Sequence, residues 1–231
     1  MISLASAVRT SLLSAPEVSR LASLRRSTSL FSQGQVADAV YFIEDGLVKL
    51  TRTNDRGGHI ILAICGPGHL IGEEALTADT HNYYSEAEVL STSNVYRIPR
   101  ETLSQSSASA PDLSNALVSY LLRRKLDLAM KVELLCLHDV EYRILHYLAE
   151  LSNLVKPLED GEGYQVPITQ LELADLIGAT RETTSTTLNQ LERRGLVKLS
   201  RRLLTIPSPV TLRNAANGKT EQENGAVARS L

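Results

Sequence analysis

The stretch TQLELADLIGATRETTSTTLNQLERRGLVKLSRRLLTI, residues 169–206, contains the pattern that decides the fold of this chain. Thr169 and Glu172 have the spacing of a capping box, in which a hydroxyl and a carboxylate each bind a free backbone N–H at a helix start. The apolar spacing over 171–177 predicts a short helix, and Gly178 supplies a turn because glycine tolerates a left-handed backbone. This part of the stretch therefore predicts one capped helix followed by a tight turn.

A second helix is predicted immediately after that turn. Thr180 is placed to cap it, and its pattern runs to Arg193 or Arg194. Two helices joined by a glycine-containing turn make a helix-turn-helix. The shared core of the two helices is predicted to consist of Leu173, Ala174, Ile177, Leu188 and Leu191. The side chains predicted to face outward are Arg181, Glu182, Ser185, Thr186, Asn189 and Gln190.

The outward-facing residue types suit DNA. Arginine binds guanine through two hydrogen bonds, glutamate accepts from the cytosine amino group, and serine or threonine binds phosphates or base edges. We therefore predict base contacts from Arg181, Glu182, Ser185 and Thr186. Contacts to the DNA backbone are predicted for Thr169, Thr180, Asn189, Arg201 and Arg202.

A hairpin wing is predicted after the second helix. The runs 196–199 and 203–206 are apolar, and they bracket a tip that carries Arg201 and Arg202. Residues 181–202 contain six positive and two negative side chains, a net charge of +4, whereas the whole chain carries −2. Phosphate neutralisation by these cations would make binding salt-dependent. The alternative is a generic α-helical hairpin, or a winged helix that docks a protein.

The sequence from Leu30 onward is typical of an antiparallel β domain. Residues 40–43 and 47–50 are apolar runs, and the Asp45-Gly46 pair between them predicts a tight hairpin. Residues 59–64 and 86–98 continue the strand pattern. Short strands at regular spacing predict a small barrel or roll rather than a parallel sheet with crossover helices.

Helical patterns flank this β domain. Pro16 predicts a short helix that runs toward Leu24, and the polar stretch 104–109 predicts a loop. A long helix is then predicted from Pro111 to about Cys136, which is longer than the typical helix of about 11–12 residues and so indicates a partner. Its apolar stripe is the predicted dimer interface, formed by Leu113, Leu117, Tyr120, Leu121, Leu128, Val132 and Leu135.

Two features qualify the prediction of a dimerisation helix. Arg123, Arg124 and Lys125 interrupt the stripe, whereas a strict coiled-coil seam keeps apolar residues at both core positions. The alternative is that the stripe packs on its own β domain. The helix is predicted to end at a hinge in which Asp139 caps the next helix, and the hinge residues are Leu137, His138, Asp139 and Val140.

Composition and motifs limit the other function classes. Only Cys65 and Cys136 are present, too few for a disulfide framework or a cysteine-only zinc site, so a reducing cytoplasm is predicted. No eighteen apolar residues run together, so no membrane span is expected. The sequence contains no Ser/His/Asp grouping, phosphate-binding glycine loop or HExxH motif, and an enzyme is therefore not predicted.

Over residues 20–207 the chain resembles the cyclic AMP receptor protein/FNR superfamily of bacterial transcription regulators. The resemblance rests on VYFI at 40–43 with the following Gly46, GHLIGE at 68–73, and TRET at 180–183. It implies an α+β fold in which an antiparallel β-roll of the cyclic-nucleotide-binding jelly-roll type precedes a long dimerisation helix and a C-terminal winged helix-turn-helix. It also implies a homodimer on a roughly palindromic DNA site, with half-sites about one helical turn apart.

The residue patterns and the resemblance together predict a division of the chain into four parts. It consists of a β-roll sensor-like domain with an N-terminal helix at 1–110, a dimerisation helix at 111–137, a winged helix-turn-helix at 138–207 and a disordered tail at 208–231. Contact with RNA polymerase is a further expectation, with the loop at 155–163 as its candidate surface. A ligand-binding module like those of kinases and channels would need the β domain alone, and the winged helix argues against that class.

The predicted sensor site departs from the resemblance. In members that bind cyclic AMP, the Gly-Glu pair is followed by an Arg-Ser pair that holds the cyclic phosphate and the ribose. Here that later position reads NYYS at 82–85, with no cation for the phosphate. We therefore predict no cyclic AMP binding, although an unidentified effector remains an alternative. The candidate effector pocket is formed by Gly72, Glu73, Tyr83 and Tyr84, with Glu73 in a structural role.

Other cofactors of the superfamily also lack their residues. An iron–sulfur cluster needs four cysteines, and a haem would need an axial ligand, for which His59, His69 and His81 are candidates. The simpler interpretation of each histidine is a solvated turn residue. Cys65 is a candidate redox thiol, but beside Ile64 on a predicted strand it is more simply a small core residue. No cofactor and no metal are therefore predicted.

Overall fold

The computed structural model describes residues 3–77, 82–159 and 161–227, and the chain divides into two compact units at the boundary between Met130 and Lys131. The first unit contains α1 (Leu4–Ser11), a 3-10 turn (Glu73–Leu76), α2 (Arg100–Ser109) and most of α3 (Pro111–Leu137). Its strands are β1 (Ser19–Leu24), β2 (Ser29–Phe31), β3 (Ala39–Asp45), β4 (Val48–Thr53), β5 (His59–Cys65), β6 (Leu70–Ile71), β7 (Glu86–Val89) and β8 (Ser93–Pro99).

These strands form two antiparallel four-stranded sheets in the orders β1-β8-β3-β6 and β2-β7-β4-β5. Strand β3 is buried along most of its length, which explains why its sequence is a continuous apolar run rather than an alternating one. Lys49 on β4 lies opposite Glu88 on β7, and an ion pair of 3.1 Å joins them. The predicted β-roll is therefore confirmed.

The hairpin predicted around Asp45-Gly46 is wrong. Strand β3 pairs with β8 and β6, while β4 pairs with β5 and β7, so this turn carries the chain from one sheet to the other. Gly46 has φ +88°, and a Cβ atom there would lie 2.5 Å from the carbonyl oxygen of Thr92 and would also meet Ser93. Local turn chemistry identified the sharp bend, but it could not identify the strands that pair on either side.

A predicted helix and a predicted loop next to the roll are also wrong. Residues 19–24 form β1, which pairs with β8, so sheet pairing overrides the helical signal at Pro16. The helix at this end is α1, whose Ala7 and Val8 are buried. The polar stretch 104–109 lies within α2 rather than in a loop, because Thr102 and Leu103 anchor that helix in the interior.

Helix α3 is continuous over 27 residues, in agreement with the predicted long helix. Its N-terminal half packs on its own β domain: Leu113 and Leu117 are buried, and the Tyr120 hydroxyl donates to the Leu70 carbonyl oxygen at 2.5 Å. These three residues therefore do not belong to an exposed dimer face, which corrects the predicted interface. The alternative interpretation of the stripe holds for this half of the helix.

The second unit contains the end of α3, followed by helices and a small sheet. These elements are α4 (Val140–Ser152), β9 (Tyr164–Val166), α5 (Gln170–Ile177), α6 (Arg181–Arg193), β10 (Lys198–Ser200), β11 (Leu203–Ile206) and α7 (Pro209–Val227). The sheet has the order β10-β11-β9. The predicted helix break is confirmed, since the Asp139 carboxylate accepts the Tyr142 N–H at 2.7 Å and begins α4.

The predicted disordered tail is wrong over the residues that the structure describes. Helix α7 runs from Pro209 to Val227 and packs on α4, with Leu212 and Ala216 buried. The Ser208 hydroxyl accepts the Thr211 N–H at 3.3 Å at the start of this helix. The asparagines and glycines of the segment have low helix propensity, so the prediction from the sequence did not allow for the stabilisation by buried Leu212 and Ala216. Residues 228–231 lie outside the described ranges.

The turn between the sheets predicts a strong effect of Gly46→Ala. The new methyl group would meet the backbone of Thr92 and Ser93 while holding a left-handed φ, so we expect a loss of roughly 3 kcal/mol or more in unfolding free energy, measured by urea denaturation. Gly34→Ala is the matched control, because Gly34 has φ +82° with no atom within 4 Å, and it should lose only about 1 kcal/mol. Equal losses would contradict the crowding of Gly46.

Candidate nucleic-acid interface

The capping box that begins α5 is formed as predicted. The Thr169 hydroxyl accepts the Glu172 N–H at 3.1 Å, and the Glu172 carboxylate accepts the Thr169 N–H at 2.9 Å. The same hydroxyl donates to the carboxylate at 2.9 Å. The Thr169 side chain is therefore half-buried and engaged within the protein at the position predicted to contact the DNA backbone.

The turn after α5 depends on Gly178. This residue has φ +64°, and a Cβ atom there would lie 2.8 Å from Cδ2 of Leu135, so only glycine fits without displacement. The Ala179 N–H donates to the Ala174 carbonyl oxygen at 3.1 Å and closes the helix. The predicted glycine turn is thus confirmed, and its place against the end of α3 is an additional finding.

Two cations hold the C-terminal carbonyls of α5, and the sequence did not single out either. Lys131 Nζ donates to the Leu176 carbonyl oxygen at 2.9 Å, and Arg143 Nη1 donates to that of Ile177 at 2.6 Å. The last carbonyls of a helix have no partner within the helix, so these donors satisfy groups that would otherwise be unpaired. The sequence offered one indication of this contact: Lys131 lies three residues before Leu134, on the same face of the helix, and both are buried.

Helix α6 presents a polar face to solvent. The Thr180 hydroxyl caps it by accepting the Thr183 N–H at 3.2 Å, and Thr184, Leu188 and Leu191 bury its inner side. We call the outward side the reading face, which consists of Arg181, Glu182, Ser185, Thr186, Asn189 and Gln190. Ser185 is half-buried and the other five residues are exposed. The structure therefore places the predicted core inside and the predicted DNA-contacting side chains outside.

The wing is a two-stranded hairpin that is fixed to α6. Strands β10 and β11 pair through Leu199 and Leu204, and both Arg201 and Arg202 are exposed at the tip. The Glu192 carboxylate accepts the Leu199 N–H at 2.7 Å, so one of the two acidic residues of the segment anchors the wing. Two cations at an exposed hairpin tip are suited to phosphate contact.

The four residues predicted to form an effector pocket do not share one environment. Tyr83 is buried, its ring stacks on Phe31 at 3.9 Å between centroids, and its hydroxyl donates to the Ala39 carbonyl oxygen at 2.6 Å. Gly72 has φ +79°, and a Cβ atom there would lie 3.0 Å from the Tyr83 ring. The neighbouring Tyr84 is 56% exposed and lies under the Arg52 guanidinium. One tyrosine therefore fills the interior and the other faces outward.

Glu73 pairs with Arg124, which the sequence analysis identified only as one of the charged residues that interrupt the apolar stripe of α3. Arg124 Nε lies 3.5 Å from the Glu73 carboxylate, and both side chains are largely buried. Burial raises the pKa of the Glu73 carboxyl, and the Arg124 charge partly opposes that rise. This ion pair joins the 3-10 turn to α3 within the first unit, which agrees with the structural role predicted for Glu73.

The candidate cofactor residues have ordinary structural positions. Cys65 is fully buried, and burial raises the pKa of its thiol to about 11, so the thiol is protonated at neutral pH. The half-buried ring of His69 contacts the Gly66 carbonyl oxygen through Nδ1 at 2.9 Å, whereas His59 is exposed. His81 lies outside the described residues. Within the described ranges, no three His, Cys, Asp or Glu side chains group as metal ligands.

No helix formed by the described residues is both long enough and apolar enough to cross a bilayer.

Comparison with known proteins assigns both units. Residues 21–109 match the family model of the cyclic nucleotide-binding domain, and residues 142–215 match that of the Crp-like helix-turn-helix domain. The cyclic AMP receptor protein of Thermus thermophilus is 31% identical over 187 residues, which cover 81% of each chain. The chain belongs to the Crp/Fnr family of transcription regulators.

Other Crp/Fnr proteins match over most of the chain. The global nitrogen regulator of Synechocystis is 28% identical over 189 residues, covering 81% of this chain and 84% of that protein. The solved structure of CLP, a c-di-GMP-responsive global regulator from Xanthomonas campestris, has a TM-score of 0.69 at 25% identity and covers 83% of this chain and 94% of that one. These relatives are transcription regulators rather than enzymes, so the predicted class of protein is confirmed.

The buried lysine of this Crp/Fnr protein predicts a pH effect on stability. Burial lowers the pKa of Lys131 to about 8, whereas an unburied lysine titrates near 10.5. Between these values the unfolded chain binds more protons than the folded chain, so the stability contributed by Lys131 increases as pH rises through this window. From pH 7 to pH 10 we expect wild type to gain about 2 kcal/mol relative to Lys131→Met, measured by urea denaturation.

Lys198→Met is the control for this measurement, because Lys198 is exposed on the wing of the same unit. We expect its stability relative to wild type to be constant across the same pH range. A pH-independent difference between wild type and Lys131→Met would contradict the burial of a titrating lysine.

Proposed function

We propose that this chain acts as a homodimer that binds a roughly palindromic promoter site through α6 and the wing, without a requirement for cyclic AMP. The observation that carries the proposal is the reading face on a capped, internally supported helix beside an exposed dibasic hairpin. Membership of a family of DNA-binding regulators supports the class of partner, which is double-stranded DNA.

The division of labour on DNA follows from side-chain chemistry. Arg181 and Glu182 begin α6, where an arginine can bind a guanine and a carboxylate can accept from a cytosine amino group, with Ser185 and Thr186 completing the base contacts. Backbone contacts are proposed for Thr180, Asn189, Arg201 and Arg202, together with the backbone of Thr169, since its hydroxyl is held in the capping box. Arg194 contributes less charge to DNA than its position suggests, because Glu141 pairs with it at 2.7 Å.

The dimer is proposed to form along the exposed face of α3. Positions 118, 121, 125, 128, 132 and 135 are separated by alternating steps of three and four, the spacing of a coiled-coil seam. Five of these six residues are apolar and at least 37% exposed in the single chain, namely Val118, Leu121, Leu128, Val132 and Leu135. Lys125 is the one polar member, and a single polar residue in such a seam can set its register.

Independence from cyclic AMP is supported by Tyr83. No cation stands in the NYYS segment at 82–85, and the buried Tyr83 ring packs between Phe31 and the backbone of Gly72. Relatives are named for different small molecules, cyclic AMP in one case and c-di-GMP in another, so family membership alone does not assign an effector. We propose that the protein binds DNA without an iron–sulfur cluster, haem or metal, and an effector-switched protein is the alternative.

The remaining parts of the proposal rest on the family. A regulator of bacterial promoters acts in the cytoplasm and contacts RNA polymerase, and the candidate contact is the loop at 155–163. In this loop the Leu158 N–H donates to the Gly163 carbonyl oxygen at 2.8 Å, and several side chains are exposed. The helix break at 137–140 is the proposed hinge, through which any effector would act by binding two arrangements of the dimer with different affinity.

Arg181→Ala and Arg201→Ala are predicted to affect DNA binding differently. We expect Arg181→Ala to reduce the ratio of specific to nonspecific affinity about tenfold or more, since a bidentate contact contributes about 1–3 kcal/mol of discrimination. Arg201→Ala should weaken binding to all sequences similarly and lower the salt dependence by about two phosphate contacts, one for each subunit of the dimer. The measurement is fluorescence anisotropy on a site selected from random DNA, at several salt concentrations, with and without cyclic AMP.

Equal effects of the two substitutions on specificity would contradict this assignment. An affinity of the wild-type protein for its selected site that rises with cyclic AMP would contradict the proposed independence and favour the effector-switched alternative. Failure of the selection to enrich any sequence would contradict sequence-specific DNA binding itself.

Leu128→Glu is predicted to dissociate the dimer. Leu128 lies in the proposed seam and is 59% exposed in the single chain, so a charge there would be buried against the partner copy. Leu126→Glu is the matched control, since Leu126 is 68% exposed but lies outside the seam spacing. We expect sedimentation equilibrium to give a dimer for wild type and Leu126→Glu, and a weakening of about tenfold or more for Leu128→Glu. The same dissociation constant for both variants would argue against this seam.

A further inference from the structure

Helix α6 is unusually rich in threonine, and most of its threonine hydroxyls are bound within the protein. The Thr184 and Thr187 hydroxyls donate to the carbonyl oxygens of Thr180 and Thr183 respectively, each at 2.9 Å. The hydroxyls of Thr180 and Thr183 lie 3.0 Å apart and share a hydrogen bond. These four side chains are therefore occupied by the cap and the backbone of the helix itself.

Thr186 differs from these four threonines. It is exposed, and no hydrogen bond, ion pair or ring contact involves its side chain in the described part of the chain. It lies four residues after Glu182, one turn along the reading face, on the side opposite buried Leu188 and Leu191. Both its hydroxyl and its methyl group are therefore free to contact another molecule.

We propose that Thr186 selects an A·T base pair in each half-site, with its methyl group packed on the C5 methyl of thymine. This inference rests on the proposed binding of α6 in the major groove. A threonine is too short and has too few donors for the two-point contact by which arginine recognises guanine, whereas its methyl group suits the one apolar feature of the groove, the thymine methyl. Ser185 cannot make this contact in place of Thr186, because serine has no methyl group and Ser185 is half-buried.

The position of Thr186 also predicts where this base pair stands. The four residues from Glu182 to Thr186 correspond to a rise of about 6 Å along the helix, and stacked base pairs are about 3.4 Å apart along each strand. The thymine should therefore lie within about two base pairs of the pair contacted by Glu182. Each half-site would then contain a G·C pair contacted by Arg181 and Glu182, and an A·T pair nearby that is selected by Thr186.

The experiment removes the thymine C5 methyl and the Thr186 methyl separately. A duplex carrying the selected site is made with each thymine in turn replaced by deoxyuridine in both half-sites, which deletes only the C5 methyl. Binding of wild type, Thr186→Ser and Thr186→Val is measured by fluorescence anisotropy on the full-length protein. Thr186→Ser removes the side-chain methyl, whereas Thr186→Val keeps it and removes the hydroxyl.

We expect one thymine per half-site, within two base pairs of the G·C pair, at which uridine in both half-sites weakens wild-type binding about tenfold to twentyfold, the effect of losing one methyl-sized contact in each half-site. Thr186→Val should keep this sensitivity. Thr186→Ser should bind the thymine site about as weakly as wild type binds the uridine site, with no further loss on uridine. Thr187→Ser is the matched control, because its hydroxyl bond to the helix is retained and it should remain as sensitive as wild type.

The proposal is overturned if Thr186→Ser keeps the wild-type uridine sensitivity, or if the selected half-site has no thymine within two base pairs of its G·C pair. These results are distinct from a failure of the proposed function. If wild type selects no sequence, or if Arg181→Ala leaves specificity intact, the placement of α6 on DNA is wrong. If specificity depends on Arg181 while Thr186→Ser changes nothing, only the role of Thr186 is wrong.

Discussion

The unpaired carbonyls at the end of α5 are the constraint on which the DNA-binding unit depends. A short helix leaves its last carbonyls without partners, and Lys131 and Arg143 supply the missing donors from α3 and α4. Leu135 packs against Gly178 at the same place, so the turn between α5 and α6 lies directly on the end of the long helix. The segment that leads into α6 is therefore held against the end of α3, through Lys131 at Leu176 and through Leu135 at Gly178.

The parts of the structure that follow from short-range chemistry were predictable from the sequence. The capping box at Thr169 and the turn at Gly178 involve residues within a few positions of each other, so spacing alone identifies them. The wing hairpin closes across Arg201 and Arg202 for the same reason. The outward placement of Arg181 and Glu182 follows from the 3.6-residue period once the buried leucines are known.

The predictions that were wrong concern features that depend on contacts between residues distant in the sequence. The sequence indicates a turn at Gly46, but β3 pairs with β8 and β4 pairs with β7 through residues 35 to 60 positions apart. Nothing local indicates that the two strands belong to different sheets. The apolar stripe on α3 keeps one spacing along the helix, but its residues lie in two environments. Leu113 and Leu117 are buried, whereas Leu128 and Val132 are exposed. Helix α7 is supported by α4, which lies more than fifty residues earlier.

Tyr83 shows what a missing residue does and does not reveal. The sequence indicates that no arginine stands where a cyclic phosphate would need one, yet it cannot show that the replacement ring turns inward onto Phe31. Ligand binding normally stabilises the state that binds, so the folded population of a ligand-dependent regulator rises and falls with its metabolite. Under the proposed function, a roll whose interior is filled by its own Tyr83 would not depend on a ligand in this way. Under the proposed function, promoter occupancy would be governed by the amount of protein in the cell, and steeply so, because two copies must meet before either half-site is held.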